Sequence, residues 1–165
     1  MNIGILTVSD RGAQGAYEDR SGPLIAAILT TATNWTVRRQ TIVPDERPEI
    51  ERTLIRWCDE GVDLILTTGG TGFAPRDVTP EATKAVIERE APGIAEGLRA
   101  ESLKVTRHAM LSRGVAGMRG HTLIINLPGS PKAVQENLDA LLPILPHALE
   151  LLSNSPGSEK SHRSV

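Results

Sequence analysis

Aromatic side chains are almost missing from this chain of 165 residues: Tyr17, Trp35, Trp57 and Phe73 are the four it has. Because 39% of the residues are nonetheless hydrophobic, a core must be filled by Ala, Val, Ile and Leu. The same scarcity removes the stacking platforms on which single-stranded nucleic acid binders rely. Charge of one sign is missing too. Lys and Arg number 18 against 20 Asp and Glu, a formal net of −2, and the basic stripe of a general DNA or RNA binder is absent. Local groups can still hold a small anion. Cysteine is reduced to Cys58, which excludes an internal disulfide framework and any multi-cysteine zinc or iron-sulfur site. That fits a reducing compartment, and the cytoplasm is the expectation. No apolar run approaches the ~18 residues of a membrane helix. Ser9, Asp10 and Arg11 interrupt the first apolar stretch before a signal peptide's hydrophobic segment would be complete. Neither a membrane nor a nucleic acid is expected as a partner.

Glycine and proline, by contrast, are plentiful at 15 and 11. Length favours one domain, since single cores serve roughly 100 to 200 residues. We place it at residues 1–152, followed by a polar tail without periodicity at 153–165 (SNSPGSEKSHRSV). Short apolar runs alternate with amphipathic ones, the pattern of a three-layer α/β fold whose mostly parallel sheet carries helices on both faces. Residues 3–8 are continuously apolar and read as a buried parallel strand. Residues 35–43, 63–68 and 122–127 read as further strands, with a hairpin turn at Arg119-Gly120. Helices are predicted from residue 22, with Ser21 as cap, from Pro48, and from Thr79-Pro80-Glu81, with Thr79 as cap. Pro92-Gly93 is read as ending that helix, and Ser130-Pro131 as opening another. Cys58 falls among the apolar positions of the second helix.

In open parallel sheets, ligands settle beyond the carboxyl ends of the strands, where helix N-termini aim free N–H groups. Four polar loops leave predicted strands at that edge: Ser9-Asp10-Arg11, Pro44-Asp45-Glu46, the segment 69–77, and Gly129-Ser130-Pro131-Lys132. Two supply glycine backbone and capped helix starts suited to phosphate, and two supply carboxylates suited to a divalent cation. The set describes a nucleotide-phosphate site with Mg²⁺. Each member also has a plainer reading. Gly69-Gly70-Thr71-Gly72 is neither a Walker A loop nor a dinucleotide fingerprint and makes a tight turn in any case. Asp45 caps the following helix or binds the cation; Asp77 makes an Asx turn or does the same. Ser130 and Lys132 start a helix or touch substrate, and Arg11 is a loop charge or a phosphate partner. His108, His121, His147 and His162 show no metal-binding spacing, and no Ser lies in a nucleophile elbow.

The strings Thr7-Val8-Ser9-Asp10-Arg11, Pro44-Asp45-Glu46, Thr67-Thr68-Gly69-Gly70-Thr71-Gly72, Arg76-Asp77-Val78-Thr79-Pro80-Glu81-Ala82 and Leu127-Pro128-Gly129-Ser130-Pro131-Lys132 resemble the molybdopterin adenylyltransferase family of molybdenum-cofactor biosynthesis. The resemblance runs over residues 3–152. It implies a molybdopterin-binding fold and an Mg²⁺-dependent reaction in which the terminal phosphate of molybdopterin attacks the α-phosphorus of ATP, releasing pyrophosphate. Asp45 and Asp77 match the family's essential carboxylates and its metal site. Gly69, Gly70, Thr71 and Gly72 match the phosphate loop, while Ser9, Asp10, Arg11, Gly129, Ser130, Pro131 and Lys132 match other substrate-binding loops. Ser112 and Arg113 match a segment near the pterin. The family implies a homotrimer and a molybdenum insertase downstream. Two alternatives stand beside it: a paralogous molybdenum-cofactor protein, which the Pro44-Asp45-Glu46 string argues against, and a non-catalytic molybdopterin-binding or scaffold module.

Overall fold

The computed structural model describes residues 1–153; the remainder of the predicted tail, 154–165, lies outside the described residues. A single six-stranded sheet organises the chain in the order β2-β1-β3-β6-β5-β4. Its strands are β1 (Asn2–Val8), β2 (Thr36–Val43), β3 (Leu64–Thr68), β4 (Arg89–Glu90), β5 (Ala116–Arg119) and β6 (Thr122–Leu127). The first three and β6 are mutually parallel. The β4-β5 and β5-β6 pairs are antiparallel and close one edge. This is the three-layer, mostly parallel arrangement that the alternating pattern predicts.

Both faces of the central strands are covered, which is why β3 and β6 read as unbroken apolar runs. Side-chain alternation sorts them. Ile3, Ile5, Leu64, Leu66, Leu123 and Ile125 face α2 (Ser21–Ala32), α6 (Pro131–Leu141) and α7 (Leu145–Leu152) in one core. Leu6, Val8, Ile65 and Ile124 face α3 (Arg47–Asp59) and α4 (Thr79–Val86) in the other, with Trp57 as its one aromatic anchor. Cys58 on α3 is half-buried rather than fully enclosed. The chain leaves β1 for β2 on one side and then crosses to β3 on the other. The strand order therefore reverses between β1 and β3, and a crevice opens there at the carboxyl edge.

Several local expectations are corrected. The loop after β1 contains a one-turn helix, α1 (Asp10–Ala13), capped by Ser9, whose Oγ accepts from the Gly12 N–H at 3.0 Å. Ser21 does not cap α2; the Asp19 carboxylate takes the Ser21 and Gly22 N–H groups at 3.0 Å each. Ser21 lies inside the helix, and its hydroxyl donates to the Gly129 carbonyl at 2.8 Å. Thr79 likewise sits inside α4, because Gly70 O takes its N–H at 3.1 Å and Gly69 O takes its hydroxyl at 2.9 Å. Pro92 opens α5 (Pro92–Leu103) instead of ending the preceding helix, which stops at Val86. A 3₁₀ turn at Arg107–Leu111 follows. The Ser130 cap on α6 holds as predicted, with Oγ accepting from the Ala133 N–H at 3.2 Å.

Candidate functional site

The loops after β1, β2 and β3 come together at the crevice between β1 and β3, where Asp10, Asp45 and Asp77 lie around the glycine turn. The turn after β3 is glycine by necessity: Gly69 and Gly70 have φ of +96° and +62°, a region where an L side chain costs about 1–2 kcal/mol. Space is short as well. A Cβ on Gly69 would lie 2.3 Å from the Val8 carbonyl, and one on Gly70 would lie 2.4 Å from Thr79 Oγ1 and 3.0 Å from Asp45 Oδ1. Thr71, buried behind the turn, gives its carbonyl to the Arg113 N–H at 3.0 Å.

Asp45 and Asp77 flank this turn. Asp45 does not cap α3; its Oδ2 accepts from the Asp10 N–H at 2.8 Å, and Asp10 Oδ1 accepts from the Asp45 N–H at 3.0 Å, a reciprocal link between the loops after β1 and β2. Asp45 Oδ1 is left against Gly70. Asp77 does not make an Asx turn with Thr79, whose N–H goes to Gly70 O; its Oδ2 instead reaches back to accept from the Ala74 N–H at 3.0 Å, and that oxygen lies close against Gly72. Burial pushes the Asp45 carboxyl above the usual range, partly offset by the Asp10 N–H and reinforced by repulsion from Asp10 and Asp77. Asp10 is pulled the other way, chiefly by its hydrogen bonds from Arg76 and then from the Asp45 N–H. Arg76 grips it at two points, Nε to Oδ2 at 3.0 Å and Nη2 to Oδ1 at 2.9 Å, and Nη2 also reaches Glu46 Oε1 at 2.8 Å. Among the described residues, no group of three or more His, Cys, Asp or Glu side chains is disposed to hold a metal ion.

Two hollows lie at the two ends of the glycine turn. One, of about 250 Å³, lies between α5, the 3₁₀ turn and α6, with Gly72, Leu98, Ser112, Asn126 and Pro128 among its walls. The other, of about 150 Å³, is walled by Ser9, Tyr17, Asp19, Gly69, Gly129 and Pro131. The turn and the strand-end segment 128–129 thus partition the crevice into two compartments. The three predicted cations each have a protein partner. The Arg11 guanidinium stacks 5.3 Å over the Tyr17 ring. Lys132 is 80% exposed and 3.9 Å from Glu136. Arg113 is committed to the loop, its Nε donating to Gly72 O at 2.6 Å, Nη2 to Asp77 O at 2.5 Å and Nη1 to Glu81.

With that geometry in place, sequence comparison is decisive. A family model described as a probable molybdopterin binding domain matches residues 4–147. The chain belongs to this molybdopterin-binding family. The molybdopterin adenylyltransferase of Helicobacter pylori strain J99 is 48% identical, over 92% of this chain and 88% of its own. Gephyrin of Dictyostelium discoideum is 46% identical over 98% of this chain, which spans only 24% of that longer protein. The crystal structure of the molybdopterin biosynthesis enzyme MoaB from Thermus thermophilus superposes with a TM-score of 0.88 at 53% identity, covering 94% of this chain and 98% of that one.

Within the molybdopterin-binding family frame, the sequence reading missed three groups that shape the crevice. Arg76 stood inside a motif without a role of its own, because its partners lie 66 and 30 residues away. Asp19, beside a helix start, carries a local capping signal that could have found it. Asn126 is buried, donating to Thr67 Oγ1 at 3.0 Å and Thr83 Oγ1 at 2.9 Å and accepting from the Val115 N–H at 3.2 Å. An Asn in an apolar strand is the signal that marks it.

Proposed function

We propose that this protein is a molybdopterin adenylyltransferase. The carrying observation is the pair of hollows at the two ends of the Gly69–Gly72 turn, Gly72 lining one and Gly69 the other, with Asp45 Oδ1 against Gly70 and Asp77 Oδ2 against Gly72. Two substrates in adjoining compartments, with reacting phosphates over one turn, is the layout that adenylyl transfer requires. The pterin fits the larger hollow, whose Leu98, Ala109 and Leu111 offer apolar walls and whose Asn126 and Ser112 offer polar ones. The nucleoside fits the smaller hollow beside Tyr17.

Transfer forms a bond between a terminal phosphate oxygen of molybdopterin and the α-phosphorus of ATP, and breaks the bond from that phosphorus to the oxygen bridging to the β-phosphate. Pyrophosphate leaves with the electron pair. The nucleophile is already anionic, so no side chain has to remove a proton; the protein's work is alignment and charge management. In this reading the backbone N–H groups of the turn would cradle the phosphates, and Asp45 Oδ1 and an Asp77 oxygen would supply hard donors. Mg²⁺ fits that donor set, since it is commonly held by one or two carboxylates completed by waters and substrate phosphates; when bound it supplies neutralisation of the phosphate charge. The half-buried Asp45, crowded by Asp10 and Asp77, is the carboxylate whose charge such an ion would offset.

Asp77→Asn keeps an acceptor for the Ala74 N–H and removes an anionic oxygen. Turnover should fall at least ~100-fold with the melting temperature nearly unchanged. Near-wild-type turnover would remove Asp77 from the site. A second reading, the paralogous cofactor protein, draws on the likeness to MoaB; a folded wild-type protein that binds ATP without transferring AMP would favour it. Fusion of a similar domain within gephyrin supports a molybdenum insertase as the consumer of the product. Leu103, Val105 and Met110, all exposed, would supply apolar contacts for a homotrimer, checked by light scattering in solution.

A further inference from the structure

Arg76 joins three strand-end loops. It belongs to the loop after β3, grips Asp10 from the loop after β1 with a two-point fork, and reaches Glu46 from the loop after β2. The same Asp10 carboxylate that receives the fork also accepts the Asp45 N–H, while the Asp10 N–H is spent on Asp45 Oδ2. Asp45 is thereby fixed twice by Asp10, at its backbone and at one carboxylate oxygen, and Asp10 itself is fixed by Arg76. Without the fork, Asp10 would be an exposed carboxylate repelled by Asp45. A planar fork sets the orientation of a carboxylate as well as its charge, which a lysine ammonium does not.

We propose that Arg76 is a positioning residue: its grip on Asp10 holds the Asp45 carboxylate against the glycine turn in the orientation that adenylyl transfer needs. The proposal rests on the transferase reading for its purpose, while the coupling from Arg76 through Asp10 to Asp45 is testable without it. Arg76 is 55% exposed on its side chain, and exposed ion pairs add little to global stability. Arg76→Lys and Arg76→Ala should therefore melt within a few degrees of the wild type.

Two measurements separate positioning from charge. In substrate-free protein, hydrogen exchange at the Asp10 and Asp45 amides should accelerate at least ~10-fold in both variants, because a local closing contact is gone, with β6 amides unchanged. In the presence of ATP, Mn²⁺ affinity followed by electron spin resonance should weaken ~10-fold in both. Simple loss of a nearby cation would strengthen it in Arg76→Ala and leave Arg76→Lys alone. The Mg²⁺ concentration for half-maximal turnover should rise likewise while KM for molybdopterin stays put. Unchanged exchange in both variants overturns the proposal, as does tighter Mn²⁺ binding by Arg76→Ala. Faster exchange together with a wild type that binds no Mn²⁺ overturns the metal assignment and leaves Arg76 as the residue that positions Asp45.

Discussion

Replacing Gly70 by Ala puts strain and function in conflict at one atom, and Gly61 provides the control. Both have positive φ, +62° and +76°, so each alanine variant incurs a backbone penalty of about 1–2 kcal/mol. Around Gly61 nothing lies within 4 Å of the new Cβ, and that penalty is the whole cost. At Gly70 the Cβ lands 2.4 Å from Thr79 Oγ1 and 3.0 Å from Asp45 Oδ1. Thr79 cannot yield freely, because its hydroxyl is held by Gly69 O at 2.9 Å; giving up that bond adds about 0.5–1.5 kcal/mol. Gly70→Ala should thus lose roughly 1.5–3.5 kcal/mol against 1–2 for Gly61→Ala. At ~2–4 °C per kcal/mol for a chain of this size, the melting temperatures fall by about 3–14 °C and 2–8 °C respectively. Turnover discriminates far more sharply. Moving Asp45 and the turn by several tenths of an ångström or more should cost ~10- to 100-fold, while Gly61→Ala keeps the turnover of its folded fraction. Thermal unfolding and saturating-substrate kinetics on both variants decide the matter. Equal turnover in the two would refute the placement of the glycine turn at the reacting phosphates.

Asn126→Ala strips partners from the Thr67 and Thr83 hydroxyls and the Val115 N–H, so denaturant unfolding should show a loss of about 2–4 kcal/mol. The Cys58 thiol is pushed above its ordinary 9.0 by burial, partly offset by Thr122. Labelling with an aromatic disulfide at neutral pH should run at least ~10-fold slower than for an exposed thiol. Because the folded value is raised, the associated stability is complete below pH 9.0 and is lost as pH climbs through the folded value. Melting scans against Cys58→Ala check the sign. Phe73 is 67% exposed on the turn-side loop; Phe73→Ala should leave stability within about 0.5 kcal/mol and weaken one substrate. If titrations with ATP and molybdopterin both match the wild type, Phe73 is a loop residue only.

The strands and the four-loop edge were legible because continuous apolar runs and Gly-Pro punctuation are local signals, and local signals place β1, β3, β6 and the Ser130 cap. Thr79 shows where that logic stops. Its sequence has all the marks of an N-cap, yet two carbonyls of the glycine turn, ten and nine residues earlier, claim its hydroxyl and N–H and draw it into the helix. Tertiary hydrogen bonding outweighed propensity there. At α2 the cap role passes locally to Asp19, while the Ser21 hydroxyl goes to the Gly129 carbonyl 108 residues off. Asp45 and Asp77 could be nominated from their loops, but their relation to Gly70 and Gly72, and the role of Arg76 in tying the loops together, exist only once β1, β2 and β3 are side by side.

The central claim is that the two hollows hold two substrates whose phosphates meet over the glycine turn. Incubating the protein with ATP, Mg²⁺ and molybdopterin and weighing the products by mass spectrometry tests it directly. Adenylyl-molybdopterin and pyrophosphate should appear in equal amounts; ATP and molybdopterin recovered intact, from protein that binds both, would contradict the two-hollow arrangement.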